Sequence, residues 1–271
     1  EVSTEIEKLN QKLSELTNSI NHLTVNKEPL ETAKNQLQAN IDQKPSTDGM
    51  TQQSVQSYER KLQEAKDKIN SINNVLANNP DVNAIRTNKV ETEQINNELT
   101  QAKQGLTVDK QPLINAKTAL QQSLDNQPST TGMTEATIQN YNAKRQKAEQ
   151  VIQNANKIIE NAQPSVQQVS DEKSKVEQAL SELNNAKSAL RADKQELQQA
   201  YNQLIQPTDL NNKKPASITA YNQRYQQFSN ELNSTKTNTD RILKEQNPSV
   251  ADVNNALNKV REVQQKLNEA R

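Results

Sequence analysis

Cysteine is absent from this sequence, which removes disulfides and thiolate metal sites from consideration. Tryptophan is absent as well, phenylalanine occurs once and aromatic residues make up 2% of the chain, so a thick globular core cannot be filled. Glycine, at three residues in 271, is far below average usage. No net field of either sign exists: 33 lysines and arginines balance 33 aspartates and glutamates, and no run of like charge stands out. That balance argues against nucleic acid and against acidic membrane surfaces as partners. There is no apolar run long enough to cross a bilayer and no signal peptide. The chain reads as starting and stopping inside repeats, so targeting signals of a parent protein can lie outside it.

What remains is a chain rich in Asn, Gln, Lys and Glu, with 31% hydrophobic residues. Their spacing is too regular for disorder. Thin helical bundles need only a narrow apolar stripe on each helix, and this composition supplies one.

Self-comparison reveals a period of about 84 residues. Leu23-Thr-Val-Asn-Lys-Glu-Pro-Leu30 returns as Leu106-Thr-Val-Asp-Lys-Gln-Pro-Leu113 and again as Leu190-Arg-Ala-Asp-Lys-Gln-Glu-Leu197. Pro45-Ser-Thr-Asp-Gly-Met-Thr51 returns as Pro128-Ser-Thr-Thr-Gly-Met-Thr134, and Asn79-Pro-Asp-Val82 as Gln163-Pro-Ser-Val166 and Asn247-Pro-Ser-Val250. The repeats run 23–105, 106–189 and 190–271, and residues 1–22 read as the last helix of a preceding repeat.

Each repeat holds three helical stretches. In the second helix of repeat one, Val55, Tyr58, Leu62, Ala65, Ile69, Ile72 and Leu76 step alternately by three and four, which puts them on one face. Repeat two keeps the step with Ile138, Tyr141, Arg145, Ala148, Ile152, Ala155 and Ile159; the aliphatic stem of Arg145 can pack while its head reaches water. First helices show Leu30, Ala33, Leu37 and Ile41, then Leu113, Ala116, Leu120 and Leu124. Third helices show Val166, Val169, Val176, Leu180, Leu183 and Leu190, then Val250, Val253, Leu257, Val260 and Leu267. No convincing strand is found.

Boundary residues carry their own chemistry. Thr51 and Thr134 suit the N-cap of the second helix, Met50 and Met133 sit where a hydrophobic staple reaches Val55 and Ile138, and Asp81, Ser165 and Ser249 suit the N-cap of the third. Gly49 and Gly132 permit a positive φ in the tight connection. Between repeats, only Gly105 and Pro112 interrupt the helical pattern, which predicts a kink there rather than a stop. The third repeat has Ala189 and Glu196 at those positions, so its junction is expected to continue as one helix. The loop Pro207–Pro215 lacks Gly-Met and is read as about four residues shorter, with the following helix, marked by Ile218, Tyr221, Tyr225, Phe228 and Leu232, about one turn longer. Thr235 and Thr239 then fall on its apolar seam and make it the least stable helix.

The expected architecture is therefore all-α: an elongated rod of tandem three-helix bundles joined by long shared helices. With a rise of 1.5 Å per residue, such a rod would be on the order of 110 Å long. Its radius of gyration would exceed roughly 30 Å, against about 18 Å for a compact globule of this length.

These residues, notably Pro45–Thr51, Tyr58, Tyr141, the Asn-Pro-Asp-Val and Gln-Pro-Ser-Val helix starts, and the Leu-Thr-Val-Asp-Lys and Leu-Arg-Ala-Asp-Lys joints, resemble the FIVAR repeat class of Gram-positive surface proteins. They are similar in particular to the helical modules of giant staphylococcal extracellular-matrix-binding surface proteins. The resemblance covers essentially the whole chain. It implies a bacterial cell-surface, wall-associated or anchored monomeric rod that adheres to a host matrix protein such as fibronectin, or to a cell-wall component. The alternative is a structural stalk or spacer with no ligand of its own. An intracellular spectrin-like spacer is disfavoured, because the seam lacks the buried tryptophans usual in such repeats.

An enzyme is not expected, since acid–base or nucleophilic chemistry needs converging groups in a dry pocket. Catalytic, cofactor-binding and metal sites are read as none, and ligand contacts are not identified. His22 is a lone imidazole without a second ligand or relay partner. Glu91 with Glu93, and Asp171 with Glu172, lie at spacings that do not share a helix face. Sugar recognition has been associated with this repeat class and wants exposed aromatic faces. Tyr58, Tyr141, Tyr221, Tyr225 and Phe228 instead read as core residues whose hydroxyls, where present, reach solvent. Tyr201, beside the seam residue Ala200, is the aromatic best placed to face outward.

Overall fold

The computed structural model describes all 271 residues. It contains eleven helices and no strands: α1 (Val2–Asn21), α2 (Glu28–Asp42), α3 (Gln52–Ala77), α4 (Val82–Gln104), α5 (Gln111–Asp125), α6 (Glu135–Glu160), α7 (Val166–Ser188), α8 (Gln195–Leu204), α9 (Pro215–Gln226), α10 (Ser229–Lys244) and α11 (Val250–Ala270). The chain divides into two compact units, residues 1–109 with 163–166, and residues 110–162 with 167–271.

In the first unit α2, α3 and α4 close into a three-helix bundle. Its core is the seam read from the sequence, with Leu30, Leu37, Ile41, Tyr58, Ala65, Ile69 and Ile72 all buried, and Leu99 of α4 joins them. Burying each of the larger aliphatic side chains contributes about 1.5–3 kcal/mol, which offsets the cost of ordering the long polar faces. The helix starts use the caps that the sequence supplies. Thr51 Oγ1 accepts from Ser54 N at 3.3 Å and Asp81 Oδ1 from Ala84 N at 2.7 Å. Helix α1 differs, because nothing packs on it: no residue of it is buried, and Val2, Ile6, Leu9, Leu13, Leu16 and Ile20 form an exposed stripe.

In the second unit α5, α6 and α7 repeat the arrangement, with Leu113, Leu120, Tyr141, Ala148, Ile152, Val176 and Leu183 buried. Helices α8 to α11 form the third bundle around Leu197, Tyr201, Leu232, Ile242, Val260 and Leu267. Its first helix has 10 residues where α2 and α5 have 15. Its connecting loop, 205–214, is not shorter than 43–51 and 126–134, as the sequence reading expected, but one residue longer. The second helix does gain one turn, spanning 215–244, but it is broken at Gln227 and Phe228 into α9 and α10. Five residues lost from the first helix are thus offset by one in the loop and four in the second helix, which preserves the period. Thr235 and Thr239 lie on the seam as expected, and both are buried.

The junctions between repeats correct the expectation of shared helices. All three stop: α1 ends at Asn21 and α2 begins at Glu28, α4 ends at Gln104 and α5 begins at Gln111, and α7 ends at Ser188 and α8 begins at Gln195. The third, with no proline or glycine, stops like the others, so local propensity does not decide it. The second and third are held by backbone pairing, which the first lacks. Thr51 N donates to Thr107 O at 2.7 Å and Asp109 N to Gly49 O at 2.8 Å, an antiparallel bridge between Met50 and Val108. The same pair recurs as Thr134 N to Arg191 O and Asp193 N to Gly132 O, both 2.8 Å, bridging Met133 and Ala192. Leu190 and Ala192 are buried by this pairing, a gain that a continuous helix would forfeit. The next helix then starts afresh on an Asx cap: Asn26 Oδ1 accepts from Glu28 N at 3.0 Å and Asp193 Oδ1 from Gln195 N at 2.9 Å. Pro29 and Pro112 fall in the first turn, where the missing N–H costs nothing.

Candidate functional site

The joint is the most elaborate polar feature of the fold, and lysines hold it. A helix leaves its last four carbonyls unpaired and its C-terminus partially negative, so a cation there is favoured. The lysine that ends each joint reaches the C-terminus of the second helix of its own bundle. Lys27 Nζ donates to Leu76 O at 2.9 Å, Lys110 Nζ to Ile159 O at 2.7 Å and Asn161 O at 2.5 Å, and Lys194 Nζ to Leu243 O at 3.2 Å and to Glu245 O. A second lysine, near the end of the third helix, caps the first. Lys103 Nζ donates to Asn40 O at 2.5 Å and Gln43 O at 2.6 Å, and Lys187 Nζ to Ser123 O and to Asn126 O at 2.9 Å. Burial pushes both ammonium groups below the ordinary lysine range. Sequence reading quoted Lys27, Lys110 and Lys194 within the recurring joints without giving them a role, and passed over Lys103 and Lys187, whose recurrence 84 positions apart was a signal that could have found them.

A carboxylate joins the second and third helices of every bundle. Glu98 pairs with Lys61 at 3.0 Å, Glu182 with Lys147 at 3.0 Å and Lys144 at 3.6 Å, and Glu231 with Lys259 and Lys266, both at 2.6 Å. The hydrogen bond from Lys61, Lys147 or Lys259 respectively is the main reason that each carboxyl lies below the usual range. In the third bundle the signs are exchanged. Glu231 stands 84 positions after Lys147, and Lys266 stands 84 after Glu182.

The residues singled out from the sequence do not converge. His22 is exposed, with Nδ1 2.6 Å from Asn18 O. Glu91 pairs with Lys68 at 2.6 Å and Glu93 with Lys89 at 3.8 Å; Asp171 accepts from Gln167, while Glu172 is buried. Tyr201 faces the core, not solvent: it is 6% exposed and its hydroxyl donates to Lys236 O at 3.4 Å. Burial, followed by the neighbouring Asp240, pushes its phenol up to about 12. Tyr58 and Tyr141 are core residues as read, but their hydroxyls do not reach solvent; they are buried without a protein partner. Arg145 lies over the Tyr141 ring at 5.7 Å, which keeps its stem in the seam. Tyr221, Tyr225 and Phe228 stack in sequence with ring centroids 6.0 and 5.5 Å apart. Met50 and Met133 are half-buried in the joint bridges. No group of three or more His, Cys, Asp or Glu residues is placed to hold a metal ion, and no helix is long and apolar enough to cross a membrane.

The repeat sequence has counterparts among known proteins. The FIVAR domain model matches residues 33–107, 116–191 and 200–268. The chain belongs to the FIVAR domain family. Each FIVAR match begins within the first helix of a bundle and ends in or just after its third. Extracellular matrix-binding protein EbhB of Staphylococcus aureus strain Newman is 47% identical over 153 residues, 56% of this chain and 2% of its own length. The protein ebh of strain NCTC 8325 / PS 47 matches to the same degree, and EbhB of strain N315 is 47% identical over 157 residues, 4% of its length. The chain thus spans 2–4% of these relatives. A solved structure described as a characterization of extracellular matrix binding protein (Embp)-mediated Staphylococcus epidermidis adherence to fibronectin is 30% identical, covering 60% of this chain and 99% of its own, with a TM-score of 0.24.

Proposed function

We propose that this FIVAR array is a non-catalytic segment of a bacterial cell-surface adhesin that binds host extracellular matrix, with a fibronectin-like protein as ligand, and acts as a monomer. The observation that supports this reading is the coincidence of three FIVAR matches with relatives named for matrix binding. The chemistry of the bundles agrees with it: polar residues are spread along helix faces, and strength would come from linking many weak contacts, since each bound copy raises the local concentration of the next.

The test is binding of the 271-residue chain to immobilised fibronectin. Coupled densely to a surface, the chain should retain fibronectin far longer than when coupled sparsely. Loss of retention at every density would leave the second reading, a spacer within the cell envelope. One observation favours that rival: outside α1 and Leu23, the exposed large apolar residues are the scattered Val82, Val90 and Ile205, so the bundles present no broad apolar patch.

A further inference from the structure

The bundles are built from interchangeable parts. Four of the six buried residues of α7, Val169, Val176, Leu183 and Ala186, return unchanged 84 positions later as Val253, Val260, Leu267 and Ala270, which are buried in α11. Seams this alike do little to tell one third helix from another. Near-identical repeats in one chain, or in a second copy of it, are prone to close on each other's helices as they fold. Whatever separates them has to lie outside the seam.

The ion pairs that flank the seam do separate them. Helix α3 brings Lys61 to Glu98 at 3.0 Å and Lys68 to Glu91 at 2.6 Å, and α6 brings Lys144 and Lys147 to Glu182. Helix α10 instead brings Glu231 to Lys259 and Lys266, which stand where α4 carries Glu91 and Glu98. With α11 on α6, Lys144 and Lys147 would face Lys259 and Lys266. With α10 on α4, Glu231 would face Glu91 and Glu98. The complementary hybrids are neutral or mixed: on α7, Glu231 would meet Glu182 and Lys175, and on α3, Glu64 would soften the approach of Lys61 and Lys68 to α11. An exchange creates both hybrids together, so one repelling member disfavours the whole of it. Exchange between the first two bundles meets no such bar. Lys61 would meet Glu182 and Lys147 would meet Glu98, and like charges would face each other only at Lys68 and Lys175.

We propose that the inverted charges of the third bundle are a pairing code that bars its second and third helices from exchange with those of either other bundle, within one chain and between copies. Each pair is partly exposed and weak alone. The discrimination comes from attraction turning to repulsion at two lysines together, a built-in penalty against the wrong partner.

The experiment uses the full chain with Glu231→Lys and Lys266→Glu together, which gives the third bundle the charges of the second and keeps an attractive pair. Refolded from denaturant at high concentration, this chain should yield at least threefold more helix-exchanged dimer on size exclusion than the parent chain does. In a second chain, residues 166–186 are replaced by the sequence of residues 250–270. There Lys147→Glu should raise the melting temperature, whereas in the parent chain it should lower it. Equal dimer in the two refolding reactions, or a Lys147→Glu effect of the same sign in both backgrounds, overturns the proposal. The two arms are independent, so a variant that fails to fold leaves the other to decide. Neither involves fibronectin, so their outcome is separate from that of the adhesive reading.

Discussion

A glycine with a positive φ and no room for a methyl group is the most exacting residue in each joint. A Cβ on Gly132 would stand 2.6 Å from Val250 Cγ1, and one on Gly49 the same distance from Val166 Cγ1. Both strain and overlap oppose substitution, so Gly132→Ala should cost roughly 1–3 kcal/mol in chemical denaturation. Gly105, with φ −79°, should tolerate alanine, and Ala189 already stands at the matching place in the next joint. Buried hydroxyls give the opposite test. Thr239 Oγ1 is buried without a partner, whereas Thr235 Oγ1 donates to Glu231 O at 2.8 Å. Thr239→Val should therefore stabilise the third bundle by about 1 kcal/mol, and Thr235→Val by less.

Helices in these bundles are tied end to end by lysine and side to side by carboxylate. Replacing Lys187 with methionine would leave the carbonyls of Ser123 and Asn126 without their cation, and should lower stability by roughly 1–2 kcal/mol in the same denaturation assay. The exchanged charges of the third bundle predict a sharper pattern. Lys266→Glu sets two carboxylates against each other and should lower the melting temperature, whereas adding Glu231→Lys in the same chain should restore much of it. The pair also sets a pH dependence. Because the Glu231 carboxyl titrates below its unfolded value, its contribution is complete above the ordinary carboxylate range and fades as pH falls through it. Glu231→Gln should thus lower the melting temperature at pH 7 and have little effect near pH 2. The helices themselves were legible, because a three–four apolar step has one reading: Tyr58, Ala65, Ile69 and Leu183 are all buried where that step puts them. The joints were not. Six residues such as Leu190-Arg-Ala-Asp-Lys-Gln195 contain no helix breaker, and what stops them is a pairing with residues more than fifty positions earlier, which no local pattern announces. Tyr201 was misjudged for a different reason: it stands four residues after Leu197 and three before Leu204, both buried, so the helical step itself puts it in the core, whereas its neighbour Ala200 is only half-buried.

Across the whole molecule, each bundle has its own core, so stability in such an array is a sum of unit terms and neighbour terms and need not be uniform. The third bundle should be the weakest of the three on several counts. Its first helix is a third shorter than its counterparts, its second helix is interrupted at Gln227 and Phe228, and its seam carries Thr235 and Thr239 where α6 carries Val151 and Ala155. The aromatic run Tyr221, Tyr225 and Phe228 restores some apolar area, but only near the break. Local opening frees amides in cooperative blocks, least stable first. Hydrogen exchange followed by mass spectrometry should therefore show residues 229–244 losing protection before 52–77 and 135–160, with 195–204 and 250–270 following the third bundle's own second helix. Adding Thr239→Val should narrow that gap without altering exchange in 52–77. Simultaneous exchange of all three second helices would mean that the neighbour terms dominate, and that the chain opens as one cooperative body.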